Sequence, residues 1–376
     1  MTGVWLVPAA IWLIAAVVLW APVVADRRPE GEAHTLSLTV LLALALFTGN
    51  GIVAYAAVAV SAALHAHAAL KWDRAATVAM ALSAAGAFLA AIALWRGNGE
   101  LAFIGSTAAM AMRVGLVPFH VGTARLADRF AGLQTQQLAT TVGLMVAHLR
   151  FGVAVPLAYD LAPLFVRYGA VMTLAPALMA MVQRDLRGFY RNATVMHGGM
   201  LFAAMGAAGH GHLAAALMVM ITTALAMAGV GLMVSALEAR VGAVSLNGPG
   251  GYVRAFPRLA AAFLIFGGSG VAMPGTAGFI ADDLMLHALW EESVIGTLLI
   301  IVGSATLAIA TLVAYSKVFL GRPVSSLAPD LTVRERWVAV LLVVLLVWLG
   351  ITPGVLLTPA DSYLRAVAEV SMATLR

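Results

Sequence analysis

Cysteine is absent from the 376 residues. That excludes disulfides, zinc–thiolate sites, iron–sulfur ligation and covalent c-type haem. Charge is scarce as well. Charged residues make up 10% of the chain against 62% hydrophobic, whereas a soluble domain carries about 25% charged residues. So few charges cannot cover a water-facing surface. Lysine is scarcest of all: of 22 basic residues only Lys71 and Lys317 are lysines. No hydrophilic stretch is long enough for a soluble domain, so redox or nucleotide chemistry would belong to a partner, and no cofactor is expected. What the chain has in abundance is apolar length, with mean hydropathy +0.97. Long apolar runs in one chain imply an all-α integral membrane protein that crosses the bilayer several times. The formal net charge of +5 then reads as cytoplasmic loop charge, with no footprint for nucleic acid. Gly3–Ala25 lacks the basic start of a signal peptide and is long enough to span, so it is expected to be a retained helix.

Loop charges organise the chain. Basic loops fall at Arg27/Arg28, Lys71/Arg74, Arg125/Arg129, Arg184/Arg187/Arg191, Arg240/Arg254/Arg258 and Arg322/Arg334/Arg336. If all face the cytoplasm, each consecutive pair is separated by two spans. That spacing predicts about twelve transmembrane helices. It requires two short spans between His34 and Leu70, and one interrupted span in each of Leu101–Ala131 and Arg258–Glu292. Residues 1–34 form an N-terminal helix and loop, 35–158 a first block of five spans, 161–318 a second block of five, and 319–376 a C-terminal helix and tail. In both blocks the fourth span is broken, by Pro118 in the first and by Pro274-Gly275 in the second. Five is odd, so the second block is expected to be inverted relative to the first. Inverted repeats with matched Gly/Pro interruptions point to an ion path near the bilayer midplane.

Ionisable side chains inside spans are costly and therefore functional candidates. Arg113 precedes the first break and His120 follows it; His148 and Arg150 lie in the next span and His197 in the eighth. Asp282, Asp283 and His287 follow the second break, and Lys317 closes the eleventh span. Such a row suits a proton relay, because histidine titrates near neutrality. Some have simpler roles available. Lys317 can snorkel from a helix end, and Asp282 and Asp283 suit the cap and first turn of the half-helix after the break. The pairs His65-Ala-His67 and His210-Gly-His212 look like metal ligands. Residues two apart on a helix face different ways, however, and no carboxylate accompanies either pair, so no metal is expected. Gly267-Gly268-Ser269-Gly270 reads as close helix packing through small residues.

Three motifs, in order, resemble a known family. Arg113-Val-Gly-Leu-Val-Pro-Phe-His120 is similar to the Lys-x-x-Leu-x-Pro-Phe-His motif of the antiporter-like subunits of respiratory complex I and of multi-subunit cation/proton antiporters. Val182 to Gly199 is similar to that family's Gln-x-Asp-x-Lys-Arg…Ser-His-Met-Gly run, and Met273 to Leu284 to its Leu-Pro-x-x-x-Gly-Phe segment. Tyr315-Ser-Lys-Val-Phe-Leu-Gly321 resembles its basic residue near the end of the second repeat. The resemblance implies a fourteen-helix subunit in which buried lysines, opposite a glutamate, relay protons along a hydrated axis. Here Arg113 stands for the first lysine, His148 or Arg150 for the second and Asp282 for the third, while the glutamate position falls near Ala59. The counterparts of two N-terminal helices and of a C-terminal lateral helix are expected to be missing.

The resulting expectation is a proton-conducting, antiporter-like subunit of a larger energy-coupling complex in the cell inner membrane. Its partners would be other membrane subunits, such as those of a quinone oxidoreductase, a membrane hydrogenase or a cation antiporter. It would move protons, or else Na+. The chain would not be catalytic alone. Two alternatives stand beside this: an ion-conducting membrane subunit of a two-component inorganic-carbon uptake system, and a structural subunit that anchors neighbours without conducting.

Overall fold

The computed structural model describes residues 6–26, 30–70, 72–129, 131–153, 155–209, 212–324 and 328–358. Arg27, Arg28, Lys71, His210, the Arg129 side chain and the tail beyond residue 358 lie outside this description. Among the described residues there is no strand, and the chain forms fourteen helical segments. These are α1 (Leu6–Asp26), α2 (Glu30–Phe47), α3 (Gly51–Leu70), α4 (Arg74–Trp95), α5 (Gly99–Val114), α6 (His120–Arg129) and α7 (Ala131–Phe151). After these come α8 (Pro156–Met181), α9 (Leu186–Gly209), α10 (Leu213–Val241), α11 (Pro257–Ser269), α12 (Ala277–Glu292), α13 (Val294–Phe319) and α14 (Val333–Ile351).

The chain is a multi-pass membrane protein. Six helices (α1, α3, α4, α8, α10 and α13) are long and apolar enough to cross a bilayer by length and composition. Helix α2 is apolar only over the shorter Gly31–Phe47, and the others fall short for visible reasons. The segments α5, α6, α11 and α12 have 16, 10, 13 and 16 residues, below the roughly 20 that a span needs. Helix α7 carries Gln134, Thr135, Gln136, Gln137, Thr140 and Thr141, all buried. Helix α9 opens on Arg187, Arg191 and Asn192, and α14 on Arg334, Glu335 and Arg336.

Apolar patterning places α10 at the centre. It is hydrophobic around its whole circumference and its most apolar stretch is entirely buried, as such a helix must be when other helices enclose it. It packs on α1, α7, α9, α11, α12 and α14. One contact pattern then occurs twice. Helix α4 touches both α5 and α6, as α10 touches both α11 and α12. Helix α7 packs on α2, α5 and α6, as α13 packs on α8, α11 and α12. Small residues bring backbones together within each block: a side chain on Gly86 of α4 would meet the backbone of Gly105 and Ala109 in α5, and one on Gly199 of α9 would meet the backbone of Met172 in α8.

The helix is interrupted at both proline sites. Segment α5 ends on Gly115, left-handed at φ 76°, a conformation glycine takes without a Cβ penalty; the peptide before Pro118 is cis. Segment α11 ends at Ser269 and the chain re-enters helix at Ala277, passing Ala272 at φ 60° and Gly275 at φ 83°. Thr276 is the cap of α12. Asp282 and Asp283 therefore lie beyond its first turn, and the capping role the sequence left open to them does not apply.

Candidate functional site

A helix that stops inside the protein leaves its last carbonyls without intrahelical donors. At the first break they are taken one by one. The amides of Gly115 and Leu116 donate to Ala111 O. The Thr123 hydroxyl donates to Met112 O at 3.2 Å, the Gln137 amide to Arg113 O, and the Tyr168 hydroxyl of α8 to Val117 O at 2.6 Å. Gly198 of α9 approaches Val114 O so closely that a Cβ there would clash with it.

The Arg113 side chain is fully buried. Its Nη1 donates to Thr140 O at 3.2 Å, and its Nη2 to Val58 O and Ser61 Oγ, both at 3.4 Å. No ion pair to Arg113 occurs among the described residues. A guanidinium does not deprotonate in proteins. Its charge is thus fixed and solvated by backbone carbonyls and a hydroxyl instead of a carboxylate. The α3 residues beside it are Val58, Ser61 and, on the Ser61 carbonyl, His65.

Seven residues earlier on the same face of α5, Ser106 meets His148 of α7, with Oγ and Nδ1 2.8 Å apart. The His148 ring lies over Phe103, centroids 5.6 Å apart. Seven residues of helix rise put His148 roughly 10 Å from Arg113 along α5, so the two are neighbours on one seam and not bonded partners. Arg150 does something different. Its Nη1 and Nη2 donate to Leu46 O and Thr48 O, at 3.1 and 2.8 Å, which caps the C-terminal end of α2 where a cation is favoured.

At the second break His197 holds the backbone. Its Nε2 bonds Gly270 O at 2.8 Å and its Nδ1 bonds Ala193 O at 2.7 Å. Both partners are acceptors, and a neutral imidazole donates from only one nitrogen. The adjacent residue, Gly198, is the one pressed against Val114. One turn of α9 therefore touches both breaks. Asp282 is half-buried on α12. Asp283 and His287 stand 3.6 Å apart on an exposed face of the same helix. Lys317 is half-buried in the last turn of α13. His120 opens α6, half-buried, with a buried Nδ1 that has no partner. The structure thus gathers Arg113, His148 and His197 around α5, α7 and α9, and sets Asp282, Asp283, His287 and Lys317 apart from them.

A cavity of about 10 Å³ joins the two blocks. Arg113, Thr123, Gln134, Gln137, Thr141, Thr194 and Thr223 supply its polar lining. Such a volume suits one water. Around it and beyond, the Arg113 Nε, both Gln134 side-chain atoms, Gln137 Oε1, His148 Nε2 and Ser269 Oγ are buried without a protein partner. Buried polar groups are normally paired, so these atoms mark places for ordered water.

Looking only for ionisable groups missed most of this seam. Ser61, Ser106, Gln134, Gln137 and Thr140 are neutral. The available signal was the cluster of glutamines and threonines over 134–141, polar on an otherwise apolar span. His65 is fully buried while His67 is exposed.

Comparisons with known proteins agree with this architecture. The family described as "NADH:quinone oxidoreductase/Mrp antiporter, TM" matches residues 89–308. NADH-quinone oxidoreductase subunit M of Escherichia coli (strain K12) is 24% identical over 280 residues, covering 72% of this chain and 54% of that one. The chain thus spans about half the length of the curated relatives it matches. A chain of respiratory complex I from Thermus thermophilus with bound NADH superposes with a TM-score of 0.87 at 19% identity, over 97% of this chain and 85% of the other. A chain of the Mrp complex from Dietzia sp. DQ12-45-1b gives 0.80 at 16% identity, over 98% and 84%.

Proposed function

The chain belongs to the NADH:quinone oxidoreductase/Mrp antiporter transmembrane family, and on that footing we propose that it is a proton-conducting subunit of a larger membrane complex. The observation that carries the reading is the buried polar seam. It runs through Ser106 and His148, past Arg113, Gln134 and Gln137, to Thr194 and His197, inside an otherwise apolar bundle. Polar and ionisable groups at membrane depth are expensive, and a seam of them with unpartnered atoms suits a hydrated path.

In this reading twelve helices cross the membrane, with α5/α6 and α11/α12 each serving as one broken crossing. Residues 35–158 and 161–318 are then inverted five-helix repeats, a reading supported by the contact pattern that occurs twice. Arg113 cannot hand on its own proton; its fixed charge sets the field for its neighbours and so acts as the gate. His148 and His197 carry protons within the seam, with Asp282 as the titratable group on the side of the second break. Asp283, His287 and Lys317 extend the path towards the surface. The carried ion is the proton, with Na+ as the alternative for an antiporter assembly. Other membrane subunits are the partners, the lipid bilayer is the solvent, and the bacterial inner membrane is the location.

A second reading, a subunit that anchors neighbours without conducting, draws on the absence of a carboxylate beside Arg113 among the described residues. Reconstituting the complex in vesicles and following internal pH separates the two. Conduction predicts a measurable proton flux, lowered about tenfold or more by His148→Ala and by Asp282→Asn. Wild-type flux in both variants sinks the relay assignment, and no flux from the unaltered complex favours the anchoring role.

A further inference from the structure

Three histidines on α2 and α3 lie outside the seam just described. His67 is exposed in the last turn of α3. His34 of α2 is half-buried, on the helix packed against α3. His65 is fully buried, and its ring meets that of His34 edge to face with centroids 5.7 Å apart. We propose that His67, His34 and His65 form a proton-input branch running from the surface at the C-terminal end of α3 to Arg113. The proposal rests on the conduction reading above and adds an entrance to it.

Hydrogen bonding fixes the chemistry of His65. Its Nδ1 lies 2.8 Å from Ser61 O. A carbonyl only accepts, so Nδ1 carries the hydrogen and Nε2 of the neutral ring is a bare acceptor. That Nε2 is buried without a protein partner, as is Nε2 of His34. Two unpartnered ring nitrogens on touching histidines suit one bridging water, the element of a proton wire. The far side of Ser61 is held by Arg113, whose Nη2 donates to the Ser61 hydroxyl. One serine therefore carries the last histidine of the branch on its carbonyl and the guanidinium on its hydroxyl.

A proton entering at His67 passes through His34 and arrives on the lone pair of His65 Nε2, making an imidazolium. It is discharged when the ring turns and gives up its Nδ1 hydrogen to water on the Arg113 side; the neutral ring then holds its hydrogen on Nε2 and exchanges it back to Nδ1 through water before it accepts the next proton. The fixed charge of Arg113 opposes that imidazolium across Ser61, so the protonated ring is short-lived and hands its proton on. Among the described residues no carboxylate pairs with these histidines, so nothing there traps the proton.

The test is proton flux in vesicles holding the full complex, with His65→Asn, His34→Asn and His67→Asn. Asparagine keeps a donor able to reach a carbonyl four residues earlier, as Asn192 does to Gly188 O at 2.9 Å, but it cannot titrate. The expected losses are about tenfold for His65→Asn and about threefold for each of the other two. If any of the three conducts at the wild-type rate, the branch is overturned while conduction stands. If the unaltered complex shows no flux, the conduction reading fails instead. Should His65→Asn not assemble, the other two, nearer the surface, decide on the same criterion.

Discussion

The two breaks solve one problem in opposite ways. At the first, two carbonyls freed by the end of α5 and one in the break itself are met by side chains from three other helices: Thr123, Gln137 and Tyr168. A permanent cation, Arg113, is buried next to them. At the second, one imidazole holds Gly270 O, the backbone passes through a positive φ at Ala272, and the ionisable groups that follow are half-buried or exposed. The first break is sealed and electrostatically rigid. The second is held by its own backbone turns and one side chain from another helix, and titratable groups follow it. A charge that cannot leave is thus kept at the first break, and the titratable Asp282, Asp283 and His287 stand beyond the second, with His197 and Gly198 of α9 touching both breaks.

The strongest way to break this arrangement is at that shared turn. Gly198→Leu drives a side chain into Val114 O and is expected to destabilise by about 3 kcal/mol or more, read as loss of the monodisperse complex in detergent. Next is Arg113→Met. Replacing a buried charge that no carboxylate answers among the described residues by an apolar chain of similar length is expected to stabilise by about 1–4 kcal/mol, raising the melting midpoint while abolishing proton flux. A lowered midpoint would show that the carbonyl shell more than repays the burial of the charge. Gln137→Leu strips the donor from Arg113 O and is expected to cost about 1–2 kcal/mol. Tyr168→Phe, nearer the surface, is expected to cost less than about 1 kcal/mol, so that the sealed break depends on its inner bonds. Both are checked by melting curves.

The smallest effect lies away from either break. Glu335 precedes the apolar run of α14 and pairs with Arg240, Oε2 to Nη2 at 2.6 Å. Burial alone would raise its carboxyl, but the Arg240 bonds and the Thr332 cap outweigh burial and hold it below its ordinary value of 4.5. A depressed folded-state value means that the contribution is complete above pH 4.5 and is lost as pH falls through the lower, folded value. The melting midpoint should therefore drop more steeply below pH 4.5 in the wild type than in Glu335→Gln.

Much of this was legible in the residues. Few charges and long apolar runs dictate a helical membrane protein, because lipid offers backbone groups no partners. Pro118 and Pro274-Gly275 mark where helix must stop, and Arg113 stands out because a charge at membrane depth demands company. Roles were less legible. Arg150 reads as part of an ion path, yet it caps α2, because Leu46 and Thr48 come within its reach only after folding. Asp282 and Asp283 read as possible helix-capping acids, yet α12 begins five residues before Asp282. His65 reads with His67 as a doubtful metal pair, yet helix geometry buries the first against His34 and exposes the second.

The sequence by itself determined fold class, the sites of both interruptions and the identity of the costly charges. Each follows from local chemistry: hydropathy, proline's missing N–H and the price of a buried ion. Only the tertiary structure decided what answers those charges. Arg113 is solvated by carbonyls and by Ser61, His197 spans two acceptors, and His34 meets His65, because partners 27, 55 and 73 residues away become neighbours through helix packing that no local pattern encodes.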